Sequence, residues 1–414
     1  MLHVRWKPGF WAAAAALTLV GCESLRQPPL PPPPPVEHPA PTPTPRPQSH
    51  TPSPGIQYSA HVSQVALLVP VSGKLAGAGT SVREGFMTAY YQMPMSQRPR
   101  VRIYDTGEMS AAQAVIGAVH DGAELIVGPL TRDEVIAAAD LRNLKPPILA
   151  LNFLPAERPV PAGFYQFALS PEDEARETAK RIIADGRHRG IVLVPQGDWG
   201  SRVRAAFEQE LTASGGFLLA SAEFDAGRMD YGEEITQVLR ITDSKARHRR
   251  LESILGGKLA FEPRRRGDIE FIFAAAQANI ERQLRPQLKF HFAGDIPTYA
   301  TSDAFEPDPN ANDDLQGLMF PDMPWMLGGE PADSVRAATR EAWPTGGPRR
   351  NRLFAFGYDA YRLAMELRGG TAKVVMFDGL TGRLTLDADR KVQRQLAWAQ
   401  VQNGQPKLLT PAAQ

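Results

Sequence analysis

From Pro28 to Pro54 the chain is dominated by proline, with an uninterrupted run at Pro31–Pro35. Proline lacks the amide donor and fixes φ, so this stretch can join neither a helix nor a sheet. A folded body has to be built from the residues C-terminal to it, and the pattern changes abruptly after Tyr58. As a polyproline II spacer rising about 3.1 Å per residue, the stretch would reach on the order of 100 Å at full extension. As a disordered linker it would have no particular reach. Both readings leave the fold to the residues beyond 60.

Val65-Ala-Leu-Leu-Val69 is a continuous apolar run, the signature of a strand buried on both faces of a parallel sheet. Val82, Phe86, Ala89 and Tyr90 then recur at helical spacing. Val101–Tyr104, Leu125–Val127 and Ile148–Leu151 are further strands, separated by a helix over 111–120 and by a helix that Thr131 and Glu134 begin as a capping box. This alternation predicts βαβ units around a parallel sheet. It restarts after 164–168: Ser170-Pro-Glu-Asp173 opens a helix striped by Ala175, Ala179, Ile182 and Ile183. Strands come next at 191–194, 217–220 and 269–273, with a helix over 203–211 and a short one over 251–255. Leu353, Phe356, Ala360, Leu363 and Leu367 mark a late helix, followed by a polar hairpin around 379–382 and a last strand at 397–399. The expected class is α/β, with two Rossmann-like parallel-sheet lobes joined by hinge crossovers. The first lobe is expected over 61–163 with 318–372, and the second over 164–317 with 373–405.

The N-terminus carries an address. Arg5 and Lys7 form a short basic segment, and the apolar run from Phe10 to Val20 is shorter than the about 20 residues a bilayer span needs, though it suits a secretory signal. The run ends in Leu19-Val-Gly-Cys22, which resembles the lipobox of bacterial lipoproteins. That resemblance implies a signal peptide over 1–21 and a lipid on Cys22, the only cysteine, with 22–60 as lipidated N-terminus and linker. Two or three acyl chains make a stable anchor, each buried methylene contributing about 0.8 kcal/mol. Glu23 replaces the aspartate that resembles an inner-membrane retention signal, which points to the outer membrane and a periplasmic location. A formal charge of +1 lacks the basic excess of a general nucleic-acid binder.

Val65-Ala-Leu-Leu-Val-Pro-Val-Ser-Gly73 followed by Gly85-Phe86 resembles the opening of type I periplasmic binding proteins. Further stretches resemble the LppC/LpoA family of penicillin-binding-protein activators: Tyr104-Asp-Thr-Gly107, Ile126-Val-Gly-Pro-Leu130, Ala150-Leu-Asn152 and Tyr165-Gln-Phe-Ala-Leu-Ser-Pro-Glu-Asp-Glu-Ala175. Downstream come Gly197-Asp-Trp-Gly200, Leu284-Arg-Pro-Gln-Leu288, Tyr299-Ala-Thr-Ser302, Asp322-Met-Pro-Trp325 and Phe356-Gly-Tyr-Asp-Ala-Tyr361. The resemblance implies an outer-membrane lipoprotein that stimulates a bifunctional peptidoglycan synthase by protein contact. Enteric members carry a helical-repeat domain where this sequence has its proline-rich stretch. The alternative is a periplasmic receptor for an amino acid or short peptide.

Gly77-Ala-Gly79 has the setting of a dinucleotide fingerprint, but Val82 stands where a third small residue is needed, so a tight strand-to-helix turn is the better reading. Gly256-Gly-Lys258 lacks the rest of a phosphate loop, and no HExxH or GxSxG occurs among or beside the eight histidines. No catalytic set, metal site or cofactor is expected. Ligands of open parallel sheets meet the loops beyond the carboxyl ends of the strands. The candidate cleft is therefore Ser72, Gly73, Gly128, Asn152, Phe153, Asp198, Trp199 and Asp295. Ser72, Asp198 and Asp295 are the hydroxyl and acids that could surround a bound amino acid. Equally, Ser72, Thr131 and Asp198 could cap helices while Phe153 and Trp199 pack between lobes. Arg247–Arg250 and Arg264–Arg266 are basic clusters, with Arg249, Arg250, Arg264 and Arg265 the candidate face for an anionic partner or a merely solvated surface. Trp325 could be an exposed partner anchor or hinge packing.

Overall fold

Apolar runs alternating with capped helices become two doubly wound sheets in the computed structural model, which describes residues 63–307, 312–342, 351–367 and 375–410. The signal peptide, Cys22 and the proline-rich stretch lie outside the described residues. The first sheet grows from β1 (Gln64–Val69), α1 (Ala76–Gln92), β2 (Arg100–Asp105), α2 (Ala111–His120), β3 (Leu125–Val127), α3 (Arg132–Ala139), β4 (Ile148–Ala150) and β5 (Phe164–Gln166). Its strand order is β2-β1-β3-β4-β5, parallel throughout. Residues 65–69 of β1 are wholly buried because helices cover both faces. Ser110 and Thr131 cap α2 and α3 as full capping boxes. The Gly77-Ala-Gly79 turn is structural: a Cβ on Gly79 would lie 1.9 Å from the Pro70 carbonyl oxygen.

The second lobe repeats the plan with α4 (Pro171–Ala184), β6 (Arg189–Pro195), α5 (Asp198–Ala213), β7 (Phe217–Phe224), α6 (Gly232–Val238), α7 (Ile241–Leu255), β8 (Phe271–Ala274), α8 (Ala278–Phe290), β9 (Thr298–Tyr299) and β10 (Met319–Asp322). Its parallel strands run β7-β6-β8-β9-β10, the same permutation as in the first lobe. The chain continues through α9 (Pro324–Leu327), α10 (Ala332–Ala342), α11 (Arg352–Glu366), an antiparallel sheet of β11 (Met376–Gly379), β12 (Gly382–Leu386) and β13 (Val392–Gln395), and finally β14 (Ala397–Gln402) and β15 (Gln405–Leu408). The last two strands join β10 antiparallel at the edge of the second sheet.

The lobes divide the chain differently from the sequence expectation. Residues 319–322 belong to the second sheet, because β10 pairs in parallel with β9 and completes the doubly wound order. Residues 376–395 pack on the first lobe instead, where Leu380, Leu384 and Val392 enter the core shared with α1 and α11. The 164–166 strand closes the first sheet rather than opening the second. The hairpin turn is not polar in setting: Leu380 and Thr381 are both fully buried, and the Asp359 carboxylate accepts hydrogen bonds from their amides and from the Thr381 hydroxyl. The helix expected over 251–255 is the end of α7, which starts at Ile241.

α11 crosses α1 at very short range. A Cβ on Gly85 would lie 1.9 Å from the Phe354 carbonyl oxygen, and one on Gly357 would lie 1.9 Å from that of Val82. Each glycine thus admits the other helix's backbone, and Phe86 and Tyr361 pack edge to face beside the crossing, their centroids 5.0 Å apart.

Candidate functional site

Both sheets have a switch point, between β1 and β3 and between β6 and β8, where adjacent connections leave to opposite faces. Ser72 and Gly73 follow β1, Gly128 follows β3, and Asn152 and Phe153 follow β4, so the sheet carries these five residues to its carboxyl edge. Ser72 makes no side-chain cap; the loop is held instead by Asp105, whose Oδ1 accepts from the amides of Val71, Ser72 and Gly107 at 2.9, 3.3 and 2.8 Å. Gly128 has φ +103°, and a Cβ there would meet the Leu68 carbonyl oxygen at 2.1 Å. Asn152 is engaged locally, donating Nδ2 to the Leu130 carbonyl at 3.1 Å and accepting the Phe153 amide at 2.9 Å. Phe153 is half-buried with the Lys391 ammonium 5.6 Å from its ring centre. Asp198 is exposed in the first turn of α5, and Trp199 packs partly buried against the core beneath α4 and α5.

Asp295 does not join them. It precedes β9, and Arg265, its partner at 2.7 Å, precedes β8, so this pair sits at the amino edge of the second sheet. The set Ser72, Asp198 and Asp295 is therefore not assembled around one ligand. Arg265 also donates to the Phe292 carbonyl, which removes it from the free basic face, whereas Arg249, Arg250 and Arg264 are exposed. Trp325 is not an exposed anchor: it is 1% accessible, stacks on Phe354 at 5.0 Å and lies under the Arg336 guanidinium. Proline at the start of α9 turns the indole into the core that α11 completes.

The cavity between the lobes is built from residues that spacing did not single out. It encloses about 480 Å³ between the start of α4, the loop after β9, the turn after β10 and the start of α11. Arg352 donates to the Asp322 carboxylate from Nη2 and Nε, at 2.6 and 3.1 Å, and its Nη2 also reaches the Ser302 and Phe305 carbonyls. Glu174 accepts the Ser302 amide at 3.0 Å and faces Arg394 at 3.4 Å. Burial works against the Arg352 charge, yet Asp322, Glu174 and Asp303 hold its pKa above the ordinary value. Burial pushes Asp303 up to about 6, the carboxylates of Glu174 and Asp322 adding to the rise and Arg352 opposing it. Chemically this is a charged clamp at the lobe junction with an acidic, partly apolar cavity beside it. A signal for Glu174 was present: it shares the inward stripe of α4 with Ala175, Thr178 and Ile182. Asp322 and Arg352 meet across 30 positions, with no local signal.

A family model described as "LppC putative lipoprotein" matches residues 36–404. The penicillin-binding protein activator LpoA of Vibrio antiquarius is 29% identical over 353 residues, which cover 82% of this chain and 57% of that relative. The chain thus spans little more than half the length of the curated relatives it matches. Those relatives are named as activators and not as enzymes. Among solved structures, the LpoA C-domain of Haemophilus influenzae, a regulator of PBP1A, aligns with a TM-score of 0.63 and 23% identity, covering 84% of this chain and all of that one. A transporter substrate-binding protein from Sphaerobacter thermophilus aligns with a TM-score of 0.61 and 16% identity over 84% of this chain. The fold is accordingly that of type I periplasmic binding proteins. With the family model running from the proline-rich stretch to the turn after β14, the chain belongs to the LppC lipoprotein family.

Proposed function

We propose that this protein, anchored through a lipid on Cys22 in the outer membrane, binds a bifunctional penicillin-binding protein in the periplasm and stimulates its synthesis of peptidoglycan. The observation that carries the reading is the family likeness, which extends through both lobes and every crossover and includes relatives named for that activity. Taken as a polyproline II spacer, the proline-rich stretch between Cys22 and the folded body would give reach, on the order of 100 Å at full extension, to a partner that is met at a distance. The partner face is the outer side of α7, where Arg249 and Arg250 are exposed beside Leu251, Ile254 and Leu255, each at least half accessible. Interfaces combine such apolar area with arginine, and the charge selects an acidic surface.

The solute-receptor reading has the cleft between the lobes in its favour, and the separation of Asp295 from Ser72 and Asp198 against it. The test uses the full-length lipoprotein in detergent, immobilised, with a class A synthase of the same organism in solution. Saturable retention is expected, weakened on the order of tenfold in the Arg249→Glu/Arg250→Glu variant. No retention by the wild-type protein would reject the proposal, and retention untouched by charge reversal would reject α7 as the contact.

A further inference from the structure

The charges around the lobe-junction cavity do not balance. Glu174, Asp303 and Glu306 line it, and Asp322 lies close enough to act on Asp303. Three of these four carboxylates have an arginine each: Arg394 faces Glu174 at 3.4 Å, Arg282 bonds Glu306 at 2.9 Å, and Arg352 bonds Asp322 at 2.6 Å. Arg352 has no donor to spare for Asp303 on its inner nitrogen, which also serves the Ser302 and Phe305 carbonyls. Asp303 feels only burial and through-space charge, with no hydrogen bond to its carboxylate, and it is ionised above about pH 6. One negative charge is thus left without a counterpart among the described residues.

Ser302 gives an observation independent of that charge. It is 3% accessible and lines the cavity; its amide donates to Glu174 at 3.0 Å and its carbonyl accepts from Arg352 at 2.7 Å. The hydroxyl makes no hydrogen bond among the described residues, and it is not sealed off as the partnerless atoms of the interior are. A hydroxyl withdrawn from water without a partner carries a desolvation cost that a donor in the cavity would offset. The rest of the wall is largely apolar, with Leu169, Met323, Met326 and Leu353. Methionine adapts its shape to what it meets. A volume of about 480 Å³ suits a small molecule. An ammonium has the charge that Asp303 lacks and the N–H donors that both residues can accept.

We propose that this cavity binds a small organic amine, its ammonium held by Asp303 and the Ser302 hydroxyl and its apolar body resting on Met323, Met326 and Leu353. None of Ser72, Gly128, Asn152 or Asp198 lines the cavity, so the site is distinct from the carboxyl-edge set. Asp303 and Ser302 belong to the second lobe, while Met323 and Met326 enter the first-lobe core, so the amine touches both lobes. The site is also separate from the synthase contact on α7.

Calorimetric titration of the full chain in detergent, at neutral pH and corrected by titration into detergent alone, tests the assignment. The probes are isoamylamine, its neutral counterpart isoamyl alcohol, the anion isovalerate, and ammonium chloride. Isoamylamine is expected to bind saturably with unit stoichiometry, and the other three at least about tenfold more weakly. Asp303→Asn should abolish that binding without lowering the melting temperature, because it removes a buried charge that faces two other carboxylates. Ser302→Ala, which keeps both backbone bonds, should weaken it several-fold. Absence of saturable heat with isoamylamine up to roughly 10 mM would overturn the assignment, as would equal binding of the alcohol, of isovalerate or of ammonium chloride. Either variant binding isoamylamine like the wild type would overturn it too.

Discussion

Glu281 is a residue whose chemistry is far from its ordinary behaviour. It lies in α8 with no accessible surface, and neither carboxyl oxygen has a hydrogen-bond partner among the described residues. Burial pushes its pKa from 4.5 up to about 8, against the pull of Arg285. The folded state therefore holds a proton that the unfolded chain releases, so this group's contribution to stability is fully present below about pH 4.5 and is lost as the pH climbs toward 8. Within that window the loss approaches about 1.4 kcal/mol per pH unit for a single such group. Denaturant unfolding at a series of pH values should show this decline, and Glu281→Gln should make it shallower, most of all between pH 6 and 8, and be the more stable protein at pH 8. A wild-type curve that rises from pH 5 to 8, or a variant with the same slope, would contradict the assignment.

Among the elements, the α1–α11 crossing is the tightest contact between segments distant in sequence. Gly85 and Gly357 face backbone atoms, which cannot rotate aside, so a methyl at either position forces the helices apart. Gly357→Ala is expected to cost about 2 kcal/mol or more, seen as a lower denaturation midpoint with an unchanged slope. An alanine variant as stable as the wild type would mean that the helices have room to move. Periodicity made α1, α4 and α11 legible, and the caps at Thr131 and Ser170 were readable because a cap is a local hydrogen bond between near neighbours. The crossing glycines were not readable as a pair, since 272 positions separate them and each alone is an ordinary helix interruption. The same limit explains β10 and the β11–β13 sheet: strand pairing is set by partners elsewhere in the chain, so their lobe could not be read from local pattern. Trp325 stayed open between an exposed anchor and packing for a related reason. A proline-turn aromatic looks exposed until α11, 27 positions on, supplies the ring of Phe354.

For the whole molecule, the clamp at the lobe junction ties the two halves of the cleft. Arg352 begins the helix that completes the first-lobe core, and Asp322 ends a strand of the second sheet. Arg394 and Glu174 repeat the arrangement between β13 and α4. Removing one member leaves a buried charge uncompensated, so Arg352→Ala should destabilise by about 3–5 kcal/mol, while Arg352→Met combined with Asp322→Leu should recover most of the loss. Additive losses in that double variant, measured by denaturant unfolding, would deny the pairing its role. The carboxyl-edge positions of Ser72, Gly128 and Asn152 were legible because the rule that places them depends only on topology, although Asp295 falls at the opposite edge; the clamp was not legible, because its four residues come from four separate elements.

If this body acts on a peptidoglycan synthase by contact, the effect belongs in the synthase's own turnover. The quantity to measure is the rate of glycan-strand polymerisation and crosslinking by the organism's class A penicillin-binding protein, with and without the full-length lipoprotein in one detergent. A several-fold rise is expected, saturating with lipoprotein concentration and reduced by the Arg249→Glu/Arg250→Glu variant. Rates that stay flat across a concentration range in which binding is complete would show that contact does not activate the synthase.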